Sequence, residues 1–181
     1  MNFYISDLHF GHKNIIISDN RPFSSVEEMN ETLISNWNSV VTNADKVYVL
    51  GDLFWDNRSG KEILPLLKGR LHLIQGNHNK LNTSLRQRFE WIENYAEIDD
   101  KSNKIILCHY PIAHWKNADY GTIHLYGHIH QSRDSRPFEE YVGAMKKRSF
   151  PYKCLAPKHI YSYQSTYQVL CLTYSPQTLL R

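Results

Sequence analysis

Five short apolar runs in this chain each end at residues of the kinds that bind metal ions, and that recurrence restricts the architecture more than anything else in it. The runs are Phe3-Tyr4-Ile5, Val47-Tyr48-Val49-Leu50, Leu71-His72-Leu73-Ile74, Ile105-Ile106-Leu107-Cys108 and Ile123-His124-Leu125-Tyr126. Each has the length of a strand and is rich in β-branched or aromatic residues. They lead, in order, to Asp7 and His9, to Asp52, to Asn77 with His78, to His109, and to His128 and His130. Side chains at the carboxyl ends of neighbouring strands converge on one crevice. Polar and ionisable groups meeting there repel or desolvate one another, and one or two divalent cations are the simplest neutraliser.

Between the strands the periodicity changes. Ser24 and Ser25 stand three residues before Glu27 and Glu28, a doubled capping-box pattern that predicts a helix start. Val26, Met29, Leu33, Trp37 and Val40 then recur at steps of three or four and fall on one helical face. A second helix is predicted from Ser59 to Lys68, capped by Ser59 with Glu62 and kinked or shortened by Pro65. Leu81, Leu85 and Phe89 suggest a short third helix, and Trp91 to Ile98 reads as one alternating strand. Strands alternating with helices predict an α/β sandwich. At 181 residues the chain suits one domain with a full core.

From Gln131 to Tyr167 the pattern breaks into a long excursion with Pro137, Pro151 and Pro157, and with aromatic residues interleaved among basic ones. Formal charge is only +3, yet Gln131 to His159 carries seven basic residues against three acidic ones. Long excursions of this kind are often functional, so a flap or small subdomain over the site is expected, and a basic, aromatic surface can stack bases and hold phosphates. A solvated loop pinned by tyrosines is the competing reading. Val169 to Tyr174 then returns as a strand, and Ser175-Pro176 opens a terminal helical turn.

Three cysteines, Cys108, Cys154 and Cys171, form no Cys-x-x-Cys pair, so reduced thiols are expected and Cys108 is read as a small buried residue, not a ligand. Met1-Asn2 leads directly into a strand pattern, and no apolar run reaches the roughly 20 residues of a membrane span. A cytoplasmic protein with no membrane contact is the expectation, and no protein partner is evident.

In Asp7-x-His9 and His128-x-His130 the members are two residues apart, so on extended backbone both would face one side. Carboxylate, amide oxygen and imidazole without thiolate suit manganese, iron, nickel or zinc better than calcium. Asp7, His9, Asp52, Asn77, His109, His128 and His130 are more ligands than one ion uses, which argues for two ions held together by a shared carboxylate.

Asp7-Leu8-His9, Gly51-Asp52, Gly76-Asn77-His78, His109 and Gly127-His128-Ile129-His130, each after a strand-like segment, resemble the ordered blocks of the calcineurin-like metallophosphoesterases. The match spans about residues 2 to 130, with a weaker echo from Val169 to Pro176. The opening Asp7-Leu8-His9-Phe10-Gly11-His12-Lys13-Asn14 is similar to a branch of small bacterial and phage phosphoesterases. The resemblance implies a β-sandwich flanked by helices, αββα in layer order, carrying a basic and aromatic insertion at about 131–166. It implies Asp7, His9 and His130 at a first metal, Asn77, His109 and His128 at a second, and Asp52 bridging. His78 is left to face the substrate phosphate, stabilising charge or protonating the leaving oxygen. Two-metal hydrolysis of phosphomonoesters or phosphodiesters is the implied reaction, with a hydroxide shared between the ions attacking phosphorus in line. Nucleotides or nucleic acid are among the implied substrates.

Two positions depart from the family pattern: Asn79 replaces the acidic residue that usually follows the histidine, and Trp55 stands where many members place a second aspartate. Asp56, one residue on, is the candidate to orient His78 instead. His12 and Asn14 either touch the substrate or the ligands' supports, or serve only the loop. His72 and His124, inside strand runs, are expected to be hydrogen-bonded core residues; His114 and His159 receive no role. Two functional classes follow: a metal-dependent phosphoester hydrolase, or a phosphate- or partner-binding module that has kept the fold and lost turnover.

Overall fold

The computed structural model of the chain describes residues 1–78, 81–130 and 140, together with the backbone of residues 153–155 and 168–169. The excursion expected at 131–166, the terminal helical turn at Ser175-Pro176, and Asn79 therefore lie outside the described residues, apart from the short strand at 153–155 and Glu140.

All five apolar runs form strands: β1 (Asn2–Ile5), β2 (Lys46–Val49), β3 (Arg70–Ile74), β6 (Asn103–Cys108) and β7 (Ile123–Leu125). With β4 (Phe89–Glu93), β5 (Tyr95–Asp100), β8 (Lys153–Leu155) and β9 (Gln168–Val169) they build two sheets. One has the order β4-β3-β2-β1-β9 and is parallel throughout. The other has the order β5-β6-β7-β8, with β5 antiparallel to β6 and the remainder parallel. The stretch Trp91 to Ile98 is thus not one strand. Glu93 and Tyr95 belong to different sheets, and the chain crosses between them at Asn94. Local alternation does not reveal such a switch, because both halves keep period 2.

Alternation along β1 to β3 divides the core. Phe3, Ile5, Val47, Val49, Leu71 and Leu73 face one side and join Met29, Leu33 and Trp37 of α2 (Val26–Val40). Tyr4, Tyr48, Leu50 and Ile74 face the other side and pack on Ile105, Leu107, Ile123 and Leu125 of the second sheet. The described layers are therefore α, β and β. Across the sheet interface the Tyr4 hydroxyl donates to Asp100 Oδ2 at 2.8 Å, tying β1 to β5 inside the core. The outer face of the second sheet is covered by Trp115 and Ala118, packed on Ile106 and Tyr126. Among the described residues the first three layers of the αββα order are present. None of the helices found among them is long and apolar enough to cross a membrane.

α2 begins where the capping pattern placed it. Ser25 accepts from the Glu28 backbone N–H, and the Glu28 carboxylate accepts in return from the backbone N–H and hydroxyl of Ser24. The second helix is earlier and shorter than expected. Asp56, not Ser59, caps α3 (Asn57–Ile63) by accepting from the Ser59 N–H and hydroxyl, and Pro65 turns the remainder into a 3-10 turn at Leu64–Leu66. The third is α4 (Thr83–Arg86), capped by Asn82 with Leu85 buried; Phe89 lies beyond it and opens β4. A six-residue helix, α1 (Lys13–Ser18), fills what reads in the sequence as a polar loop. It is too short to show a helical period.

Candidate metal centre

Strand register brings the block ends level. Ile5, Val49 and Leu73 are neighbours across β1, β2 and β3, and Leu107 pairs with Leu125 across β6 and β7. Asp7, Asp52 and Asn77 follow one trio, and His109 and His128 follow the other pair. Parallel pairing then continues beyond the strands. Asp7 N–H donates to Gly51 O at 3.2 Å, His9 N–H to Asp52 O at 2.9 Å, Phe10 N–H to Leu53 O at 2.9 Å and Trp55 N–H to Phe10 O at 2.8 Å. Two loops that carry ligand-type side chains are thereby fixed to each other by backbone bonds.

The side chains converge, though not by the extended-backbone route expected for the i, i+2 pairs. Asp7, His9, Asp52 and His128 all have positive φ, at 54°, 53°, 48° and 73°. Left-handed backbone is uncommon in residues other than glycine and clusters at functional sites. Here each such turn swings a side chain off the strand end into the crevice between the sheets. The preceding glycines act mainly through what they lack. A Cβ on Gly51 would lie 2.2 Å from His109 Nδ1, one on Gly76 would lie 2.2 Å from Asp52 Oδ1, and one on Gly127 would lie 2.6 Å from Asp7 Oδ2. Only Gly51, at φ 93°, also makes a turn that favours glycine.

Within the cluster, one donor atom from each of Asp7, His9 and His130 lies within 4.8 Å of the others, as does one from each of Asp7, Asp52 and His109. His9 Nε2 is 3.2 Å from His130 Nε2, and His130 Nε2 is 3.7 Å from Asp7 Oδ1. On the other side, Asn77 Oδ1 is 3.0 Å from both His109 Nε2 and His128 Nδ1. Asp52 Oδ2 stands between the halves, 3.8 Å from His9 Nε2 and 3.6 Å from His109 Nε2. All seven candidate ligands are brought together. Asp7 reaches both halves, a role that sequence reasoning assigned to Asp52 alone.

The ring protons follow from the outer partners. His109 Nδ1 is 2.8 Å from Leu50 O, an atom that only accepts, so it carries the proton and Nε2 turns a lone pair inward. His130 Nδ1 likewise donates to Asp19 Oδ2 at 2.6 Å, and its Nε2 faces inward. Lone pairs therefore oppose lone pairs at Asn77 Oδ1 against His109 Nε2. A cation between them removes the repulsion, as does a half-turn of the Asn77 amide that points its N–H2 at the ring. Burial first, then the neighbouring His130, Arg21, His12 and His78, pushes His9 down to about 2, and burial followed by His109 lowers His128. Neutral imidazoles are what metal ligation requires.

His78 makes no such contact. Its backbone N–H donates to Asp52 Oδ1 at 3.0 Å, and its ring lies 5.6 Å from His9 and 4.9 Å from Trp55 between ring centroids. Asp56 caps α3 through Oδ1, a structural role that spacing in the sequence did not suggest for it. His12 stacks on Trp55 at 3.8 Å and 14°, with its ring 6.2 Å from His78. Asn14 lies in α1. His72 and His124 are buried and hydrogen-bonded, His72 to Arg70 O and Glu90, His124 to Ile106 O and the Ile112 N–H. Cys108 is a free, half-buried thiol raised by burial and is absent from both donor groups.

Sequence reasoning missed Asp19 and Arg21. The Arg21 guanidinium is buried, donating to Asp7 O at 2.9 Å, Leu8 O at 2.8 Å and Asp19 Oδ2 at 3.2 Å. It fastens the first ligand loop to the carboxylate that holds His130, the arrangement in which a histidine ligand's second nitrogen is fixed by a carboxylate. The available signal was an Asp-x-Arg following the ligand block. Its meaning depends on α1 folding the chain back.

No protein-family model matches the chain. It is 43% identical over 141 residues, covering 75% of this chain and 73% of the other, to the uncharacterized protein MJ1445 of Methanocaldococcus jannaschii. The chain belongs to the family of that protein. The Gene 66 protein of Mycobacterium phage L5 is 30% identical over 158 residues, covering 70% of this chain and 76% of its own length. Among solved structures, the protein of unknown function AQ665 from Aquifex aeolicus matches with a TM-score of 0.65 and 27% identity, over 86% of this chain and 88% of that one. These relatives show the family and the fold, and their names state no activity.

Proposed function

We propose that the chain is a dinuclear metal-dependent phosphoesterase, a hydrolase of phosphomonoesters or phosphodiesters on a metallophosphoesterase-type sandwich. The observation that carries this reading is the meeting of ligand-type atoms around the buried Asp52 Oδ2, with His9 and His130 on one side and Asn77 and His109 on the other. That donor set fits two divalent ions of the manganese, iron, nickel or zinc type. Asp7, His9 and His130 would hold one, Asn77, His109 and His128 the other, and Asp52 both. When bound, such a pair supplies a nucleophile at neutral pH and neutralises phosphate oxygens.

The chain's own residues would do the rest. Asp19 keeps His130 in one tautomer, and Leu50 O does the same for His109. The Asp52 carboxylate fixes the 76–78 turn through the His78 N–H, placing the His78 ring beside the cluster without joining it. From there imidazole can donate to a phosphate oxygen or protonate the leaving alcohol, contributions typically worth 10²–10⁴ in rate.

The test is a manganese-supplemented assay with nitrophenyl phosphate beside bis-nitrophenyl phosphate, on the wild type and Asp52→Asn, with bound metal counted. Turnover by the wild type, lost together with metal in Asp52→Asn, is expected. Tight metal binding with no turnover of either ester would favour a phosphate- or partner-binding module instead.

A further inference from the structure

Trp55 is an exposed indole beside the cluster, and the local structure holds it rigidly. Its backbone N–H donates to Phe10 O, the preceding Phe54 bridges to Phe10, and the next residue caps α3. One face of the ring is covered by the His12 imidazole, nearly coplanar at 3.8 Å. The residue is nevertheless 42% exposed, so part of the indole remains open to a ligand. It lines a cavity of about 350 Å³ together with Phe54, Asp56, Asn57, Asn77 and His78. That volume lies within the range of small-molecule sites. The cavity therefore runs from a candidate metal ligand, past the ring assigned to the phosphate, to a preset aromatic surface.

We propose that Trp55 is a stacking platform that selects phosphoesters carrying a planar aromatic or heteroaromatic group, such as a nucleobase, on the alcohol side of the ester. The proposal rests on the phosphoesterase reading for the position of the phosphate. The order of groups along the cavity sets the direction of the ligand: phosphate at Asn77 and the cluster, the ester oxygen near His78, the ring over Trp55. His12 serves as the backing ring that keeps the indole from turning away. No aromatic residue of the 131–166 excursion is needed for this contact. Truncating the platform for a stacked base typically lowers affinity by about 5- to 150-fold, and stacking tolerates different rings because every base has a π-face.

The experiment compares two phosphate mimics that cannot be hydrolysed, 2-naphthylmethylphosphonate and methylphosphonate, binding to the manganese-loaded protein in calorimetry. The wild type should bind the naphthyl compound at least about fivefold more tightly. Trp55→Ala should bring that ratio toward one, and Trp55→Phe should keep most of it. Equal binding of the two phosphonates by the wild type, or a preference that survives in a folded, metal-loaded Trp55→Ala protein, would overturn the proposal. Turnover of bis-nitrophenyl phosphate by the wild type is read separately. Turnover without an aromatic preference sinks the platform and leaves the hydrolase, whereas a Trp55-dependent preference without turnover does the reverse.

Discussion

Replacing Gly76 by alanine tests the centre without touching a ligand. The position does not lie in the left-handed region, so alanine brings no backbone penalty there and the effect is steric. The added Cβ would meet Asp52 Oδ1 at 2.2 Å, Cγ at 2.9 Å and the backbone nitrogen of residue 52 at 2.6 Å. Carbon and oxygen in ordinary contact are roughly 3.3 Å apart, so relief requires a shift of about 1 Å. The backbone nitrogen cannot supply it, because both flanking segments are bonded into the ladder from residue 7 to residue 55. Either the Asp52 carboxylate rotates or the turn carrying Asn77 and His78 lifts away. Both outcomes separate Asp52 Oδ2 from its position between His9 and His109. A misplacement of about 1 Å can cost on the order of 10² in rate, and overpacking typically costs about 1–3 kcal/mol of stability. Gly76→Ala should therefore fold, melt a few degrees lower, lose manganese affinity in calorimetry and lose roughly two orders of magnitude in phosphodiester turnover. Wild-type metal stoichiometry and wild-type turnover in the folded variant would show that the 76–78 turn and Asp52 do not form one unit.

Three further expectations follow from the same geometry. His78→Ala should lower turnover by about 10²–10⁴ while both metals remain bound, and loss of either metal would contradict the placement of its ring outside the cluster. Asp19→Ala should weaken metal binding by about 10–100-fold because His130 loses the carboxylate that sets its tautomer; Asp19→Asn, which still offers an acceptor, should recover part of it, and equal affinities in all three proteins would refute the role. His124 is fully buried and pushed down to about 4, chiefly by burial. Its folded-state affinity for protons lies below the unfolded one, so stability is highest above about pH 6.5, falls between about 6.5 and 4, and changes no further below that on this residue's account. The loss is on the order of 3 kcal/mol. Chemical denaturation at pH 7.5 and pH 5 should show a shallower pH slope for His124→Gln, and an unchanged slope would remove His124 as the cause.

Which parts of this were legible in the sequence follows from the range of the signals. The five strand runs are visible because each is buried on both faces, and strands of that kind read as continuous apolar stretches. The α2 face is visible because fifteen residues give the 3.6-residue period room to repeat. Asp56 was a candidate to orient His78, and spacing alone cannot distinguish a carboxylate that caps a helix from one that orients an imidazole; the cap is visible only once α3 is known to start at Asn57. The switch at Asn94 was hidden because alternation reports burial of a face and not the sheet to which the face belongs. Asp19 and Arg21 were hidden because the partners of Arg21 are largely backbone carbonyls, and Asp19 meets His130 across 111 positions of sequence.

The convergence of Asp7-x-His9 was expected for the wrong geometric reason, and the difference bears on function. Extended backbone would have brought both side chains to one face at no conformational cost. The observed left-handed turns at Asp7, His9, Asp52 and His128 are unfavourable, at about 1–2 kcal/mol for an ordinary residue, though less for Asp and His, which enter this region more readily. Glycine would remove the strain at every one of these positions, and four neighbouring glycines would give the same chain trace. A chain that holds carboxylate and imidazole in that conformation, braced by the Arg21 guanidinium and by loop-to-loop hydrogen bonds, has structure committed to the side chains themselves. Backbone strain is thus concentrated at four of the seven candidate ligands, Asp7, His9, Asp52 and His128.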